Sequence, residues 1–164
     1  ALAGAMTRTV AGTNGIFTAE QVTVSIRQPN RYHPRSRLLS VENTSNLGGG
    51  TVWPIARIGE VTTAARENGL ATHMDGARLL NAVVASGTSA AEYAAPFDSV
   101  WIDLSKGLGA PVGGVLAGAR DFIERAWRFK HQFGGAMRQA GIIAAAGIYH
   151  PIVGKEVLII DFIL

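Results

Sequence analysis

Two patterns of hydrophobic and polar residues alternate along the chain. Helical patterns are found in the segments 18–27, 54–68, 79–86, 89–95, 121–133 and 137–149. Short continuous apolar runs, which are typical of buried strands, occupy 37–42, 70–74, 99–104 and 114–117. This alternation of helices and strands predicts an α/β protein with a mainly parallel sheet.

Local signals support the predicted boundaries. Thr18, with Gln21 three positions later, is typical of a capping box at a helix N-terminus. Asn68 and Gly69 predict the C-terminal end of the second helix. The polar, glycine-rich segment ENTSNLGGG (42–50) follows the first strand, and loops in this position often carry functional residues.

Composition and charge exclude several classes of protein. The chain has 164 residues, of which 48% are hydrophobic and 16% charged, as in a globular domain. The absence of cysteine excludes disulfides and thiolate metal sites, and it suits a reducing cytoplasm, which is the expected location. The net charge of +3 comes from basic residues spread along the chain, so no nucleic-acid partner is expected. No apolar run approaches the ~20 residues that cross a bilayer, so a soluble protein without a membrane partner is predicted.

Residues with useful chemistry follow the predicted strands. In an open α/β sheet, ligands bind beyond the carboxyl ends of the strands. The segments at these ends are Glu42–Asn46, Asp75–Arg78 and Ser105–Lys106. A lysine that loses water on burial can act as a neutral nucleophile, and a carboxylate and a guanidinium beside it match the needs of pyridoxal phosphate. The alternatives are that Asp75 caps a helix, that Arg78 and Lys106 are structural, and that His73 is a hydrogen-bonded histidine inside the sheet.

Four motifs, in this order, resemble the L-threonine aldolase family within the fold type I pyridoxal phosphate enzymes. They are ENTSN (42–46), HMDGARLLNAVVA (73–85), DSVWIDLSKGLGAPVGGVLAG (98–118) and GGAMRQAGIIAAAG (134–147). The resemblance implies a three-layer α-β-α large domain, of which 1–149 would be the central part. The apolar tail 150–164 does not share it and has no predicted role.

The resemblance also implies roles for individual residues. Lys106 would form the Schiff base with the cofactor, Asp75 would face the pyridine nitrogen, and Arg78 would donate to the phenolic oxygen. Arg138 would reach the cofactor phosphate of a neighbouring subunit, which implies a homodimer or homotetramer. Ser105 would either support the phosphate or begin the turn.

Several positions depart from the family pattern. Tyr32 stands where many members have a histidine near the substrate hydroxyl, and His33 follows it, so either residue is a candidate to face the substrate. His131 replaces a lysine near the phosphate, for which Lys130 could partly substitute. Ser45 occupies the place of a second histidine.

The activity implied by the resemblance is cleavage of L-threonine, or a related β-hydroxy amino acid, into glycine and an aldehyde. His33, or a water molecule held by neighbouring groups, would take the proton from the β-hydroxyl. Family chains are roughly twice as long, and they carry a Gly-Thr phosphate loop and a small C-terminal domain that have no counterpart here. Two alternatives follow: another lyase or transaminase of the same fold, and a truncated domain without activity.

Overall fold

Four short strands form the sheet that positions the predicted site in a computed structural model, which describes residues 3–149. They are β1 (Leu38–Glu42), β2 (Ala71–Gly76), β3 (Ser99–Asp103) and β4 (Gly114–Gly118), and they lie side by side in chain order. β1, β2 and β3 are parallel, whereas β4 runs antiparallel to β3. The sheet is therefore mixed but mainly parallel, as the sequence predicts.

Helices connect and flank these strands. They are α1 (Ala19–Ser25), α2 (Ile55–Glu67), α3 (Leu79–Ser86), α4 (Ala90–Ala94), α5 (Arg120–Gln132) and α6 (Gly141–Tyr149). The predicted capping box at Thr18 and Gln21 is present, and Ser89 and Glu92 form a second one at α4. The last helix is shorter than the predicted 137–149, because residues 138–140 form a turn and the first helical hydrogen bonds run to the carbonyls of Gln139 and Ala140.

One face of the sheet is apolar and forms the main core. Side chains alternate between the two faces of a strand, so register partners on neighbouring strands share a face. Val41, Met74 and Val100 lie on the apolar face and pack with Ile58 and Val61 of α2. Burial of this face against α2 fixes the register, since a slip of one residue would turn the apolar side chains outward.

The opposite face of the sheet is polar. On this face, Asp75 of β2 is the register partner of Glu42 in β1 and of Trp101 in β3. Two residues nearer the amino ends of the strands, His73 pairs with Ser99. The Trp101 indole packs over Gly114 of β4, where an added Cβ would lie 2.5 Å from the indole nitrogen. The sheet thus presents its charged residues on a single face, at the carboxyl ends of its parallel strands.

Within residues 3–149, no helix is long and apolar enough to cross a membrane. The predicted tail 150–164 lies outside the described residues.

Candidate active site

Asp75 lies near the end of β2, in the centre of the polar face. It is partly buried, and its Oδ1 accepts a hydrogen bond of 3.0 Å from the backbone N–H of Ala77. This bond shapes the turn into α3, whose first flanking residue, Arg78, makes no side-chain cap. Asp75 therefore does not cap α3, because its side chain closes a turn just before that helix. The second carboxylate oxygen of Asp75, Oδ2, makes no hydrogen bond within residues 3–149.

Lys106 follows β3 in a turn that Asp103 organises. Asp103 is buried, and its Oδ1 accepts from the backbone N–H of Ser105 at 2.7 Å and from the Ser105 hydroxyl at 2.6 Å. The other oxygen, Oδ2, accepts from the Lys106 ammonium. Lys106 Nζ also lies 5.5 Å from the centre of the Trp101 ring. Ser105 thus begins the turn, as one of its two predicted roles requires.

A shallow cleft joins the two strand ends. It lies between the turn after β2 and the loop after β3. Arg78 and Asp103 are the charged residues of its lining, and Asn81, Ile102 and Gly107 are among the others. The structure therefore brings Arg78 close to the turn that carries Lys106.

Burial affects two titratable groups near this edge of the sheet, Asp103 and His73, and the outcome differs between them. Burial alone would raise the pKa of Asp103, but hydrogen bonds from Lys106 and Ser105 outweigh it and lower that pKa. Burial lowers the pKa of His73, and the nearby charge of Asp75 and the bond to Ser99 only partly oppose it. His73 is thus a hydrogen-bonded residue of the sheet, as the sequence predicts.

Tyr32 and His33 lie in a loop that joins β1 at its amino end. Hydrogen bonds between Arg27 and Ser36 close the base of this loop. Tyr32 is 84% exposed, whereas His33 is partly buried and its Nδ1 has no hydrogen-bond partner within residues 3–149. The loop leads into the amino end of β1, whereas Asp75 and Lys106 lie at or after the carboxyl ends of β2 and β3. No hydrogen bond in the described part of the chain joins the loop to these two residues.

Ser45 is buried in the loop after β1. Its backbone N–H donates to the carbonyl of Thr51 at 2.9 Å, and the N-terminal segment packs against its side chain. A Cβ added to Gly15 would lie 1.9 Å from Ser45 Oγ, and one added to Gly48 would lie 1.9 Å from the Asn14 carbonyl oxygen. The serine at this position therefore packs closely against Gly15 of the N-terminal segment.

The predicted phosphate residues lie near α5 and α6. Arg138 is exposed, and its side chain makes no hydrogen bond or ion pair within residues 3–149. Lys130 is buried, with its Nζ 4.4 Å from the centre of the Trp127 ring and no hydrogen-bond acceptor among the described residues. Its pKa is lowered because burial removes water from the ammonium. His131 Nδ1 lies 2.9 Å from the Trp127 carbonyl oxygen.

The donor set at the strand ends fits pyridoxal phosphate. One edge of the sheet carries a lysine amine, a free carboxylate oxygen and a guanidinium. These are the groups that the cofactor's aldehyde, pyridine nitrogen and phenolic oxygen require, in that order. Sequence reasoning missed Asp103. An aspartate two positions before the serine is the spacing of a side-chain-closed turn, and this signal could have found it.

Comparisons with known proteins agree with this arrangement. Residues 1–157 match the model of the beta-eliminating lyase family. The chain is 47% identical over 139 residues to the low specificity L-threonine aldolase of Escherichia coli, covering 85% of this chain and 41% of that protein. It is 39% identical over 137 residues to the low-specificity L-threonine aldolase 1 of Arabidopsis thaliana, covering 82% and 38% of the two chains.

The fold has a solved counterpart as well. A threonine aldolase from Leishmania major superposes with a TM-score of 0.76 at 20% identity, over 85% of this chain and 41% of that one. The match confirms the predicted α/β fold of the type I pyridoxal phosphate enzymes. The chain spans well under half the length of these relatives. The motifs, the family model and the fold agree, and the chain belongs to the beta-eliminating lyase family.

Proposed function

We propose that this chain supplies the cofactor-binding part of a pyridoxal phosphate aldolase, which cleaves L-threonine or a related β-hydroxy amino acid into glycine and an aldehyde. The observation that carries the proposal is the cleft between the ends of β2 and β3, which brings Arg78 to the turn that presents Lys106. The two threonine aldolase relatives support this choice of reaction.

Each residue of the edge has a definite task in this proposal. Lys106 supplies the amine that binds the cofactor aldehyde, and its side chain is 38% exposed, so a small molecule can reach it. Asp75 keeps a proton on the pyridine nitrogen through its free Oδ2, and Arg78 donates to the phenolic oxygen. When bound, the cofactor accepts the electron pair of the broken Cα–Cβ bond.

The remaining assignments concern the surroundings of the site. Arg138 is exposed and unpaired within residues 3–149, which suits an arginine that binds the phosphate in a partner subunit of a homodimer or homotetramer. His33, with a water molecule as the alternative, is our candidate for the group that takes the proton of the substrate hydroxyl, and Tyr32 is the second candidate for the residue that faces the substrate. Their loop leads into the amino end of β1 and makes no hydrogen bond to Asp75 or Lys106 within residues 3–149, so this part of the proposal rests on the resemblance alone. We also propose a cytoplasmic location, which the lack of cysteine in the sequence supports.

Cofactor trapping tests the proposal directly. The 164-residue chain is mixed with pyridoxal 5'-phosphate, reduced with borohydride and digested, and the labelled peptide is identified by mass spectrometry. We expect a visible absorption band and stoichiometric label on Lys106. The variant Lys106→Ala should lose both, whereas Lys155→Ala should keep them. Label spread over Lys130 and Lys155 would contradict the assignment.

A product assay separates the aldolase from its alternatives. The family name includes elimination, and transamination uses the same lysine, aspartate and arginine. Acetaldehyde from L-threonine supports the aldolase, while ammonia and a keto acid from other amino acids support elimination. A labelled chain that forms no product from any amino acid would instead support a truncated domain without activity.

A further inference from the structure

Asp103 is the only carboxylate that contacts Lys106 within residues 3–149. The Asp103 side chain is 8% exposed, whereas the Lys106 side chain is 38% exposed. A carboxylate buried to this degree needs partners for both oxygens. Ser105 satisfies Oδ1 and Lys106 satisfies Oδ2.

The lysine is therefore held at the turn after β3. Its ammonium contacts the Asp103 carboxylate and lies 5.5 Å from the centre of the Trp101 ring, and both groups attract a cation. Together they fix the place of the Lys106 nitrogen beside the cleft that Asp103 lines.

We propose that Asp103 is a positioning residue that holds the Lys106 ammonium at the end of β3 in the cofactor-free chain and restrains its attack on aldehydes until a ligand displaces it. The Lys106 nitrogen must leave the Asp103 carboxylate before it attacks a carbonyl carbon, and their charge-assisted hydrogen bond opposes that release. The same carboxylate fixes the turn through Ser105, so the amine emerges at one defined place. This inference rests on the proposed function, since restraint of Lys106 matters only where this lysine binds an aldehyde.

The variant Asp103→Asn separates charge from structure. Asparagine keeps a side-chain oxygen for the Ser105 N–H and hydroxyl, but it removes the negative charge from Lys106. The rate at which trinitrobenzenesulfonate modifies each lysine of the cofactor-free chain is measured at one mildly alkaline pH by peptide mass spectrometry. We expect the Lys106 rate to rise on the order of tenfold, because the amine no longer has to break its charge-assisted hydrogen bond to Asp103 before it reacts.

The experiment has two controls, one residue and one variant. Lys130, over the Trp127 ring, should keep its rate in Asp103→Asn. The variant Asp121→Asn removes the same charge at an exposed position paired with Arg125, and it should leave the Lys106 rate unchanged. An unchanged Lys106 rate in folded Asp103→Asn would overturn the proposal. Since no cofactor is present, this result is independent of whether Lys106 traps pyridoxal phosphate.

A second variant applies if circular dichroism shows that Asp103→Asn does not fold. Lys106→Met leaves Asp103 in place without its cation, and the carboxyl carbon of Asp103 is then followed by nuclear magnetic resonance against pH. Lys106 contributes to the lowered pKa of Asp103, so this pKa should move up towards its ordinary value. A pKa of Asp103 that does not move would equally overturn the proposal.

Discussion

The Nδ1 atom of His73 lies 2.8 Å from the hydroxyl oxygen of Ser99 and joins β2 to β3 directly beneath Asp75. Burial is the largest influence on His73 and lowers its pKa, while Asp75 and Ser99 oppose the shift. The folded chain therefore favours the neutral imidazole in the place where the two strands must hold their register.

This lowered pKa predicts how stability depends on pH. The unfolded chain binds a proton at His73 near pH 6.5, about the ordinary value, whereas the folded chain resists it. The contribution of His73 is thus complete above pH 6.5 and is lost as the pH falls through the folded pKa. Urea unfolding between pH 8 and pH 5 should show a falling free energy of unfolding, with a smaller slope in His73→Gln. Equal slopes in the two proteins would contradict this, and exposed His131→Gln is the matched control.

Gly76 allows β2 to approach β3 next to the predicted catalytic edge. A Cβ at this position would lie 2.5 Å from the Trp101 carbonyl oxygen, so the backbone of β3 would have to move. We expect Gly76→Ala to lower the free energy of unfolding by about 1–3 kcal/mol, as overpacking usually does.

Gly59 provides the control for that substitution. It lies inside α2 with nothing within 4 Å of an added Cβ, so Gly59→Ala should raise stability by about 0.5–1 kcal/mol. Thermal unfolding of both variants compares the two directly. A stable Gly76→Ala would mean that β2 and β3 adjust without cost.

Much of the fold was predictable because the local signals agree with the tertiary structure. Each predicted strand and helix exists, and the capping box was predictable from Thr18 and Gln21, which are three positions apart. The start of the last helix was not, since the small residues before Gly141 are compatible with helix and only the observed hydrogen bonds place them in a turn.

The site was predictable only in part. Strand ends identified Asp75 and Lys106, because carboxyl ends of parallel strands share one edge of a sheet. Burial of Lys130 depends on where the Trp127 ring lies and is invisible in the sequence RFKHQ. The position of His33 depends on how a ten-residue loop closes, which no periodic pattern describes.

Asp75 gives a prediction that separates binding from chemistry. Asp75→Asn keeps the hydrogen bond to the Ala77 N–H through its side-chain oxygen but cannot stabilise a protonated pyridine nitrogen. We expect borohydride to trap the cofactor on Lys106 as in the wild type, while threonine cleavage by the complete enzyme falls at least about a hundredfold. Acetaldehyde release is the measurement, and full activity would remove Asp75 from the proposed role.

Lys130 predicts a gain in stability. Its buried ammonium has no acceptor within residues 3–149, and the Trp127 ring offsets only part of the cost of burial. Lys130→Met keeps an unbranched side chain, one atom shorter and without charge, beside the Trp127 ring, and we expect the free energy of unfolding to rise by about 1 kcal/mol. The exposed neighbour Arg128→Met should change it by less than about 0.5 kcal/mol. A loss of stability in Lys130→Met would show that the charge has a favourable partner.

The exposed side chain of Arg138 predicts an active site shared between two subunits. If Arg138 of one subunit binds the phosphate held by the partner, then Lys106→Ala and Arg138→Ala are each inactive but damage different halves of the site. Mixing the two variants and refolding them together should restore about a quarter of the wild-type activity in a dimer, because half of the dimers are mixed and each contains one intact site. Threonine cleavage is the readout, and each variant refolded alone is the control. No recovery, in mixtures that size-exclusion chromatography shows to be oligomeric, would place Arg138 in the site of its own subunit or outside the site altogether.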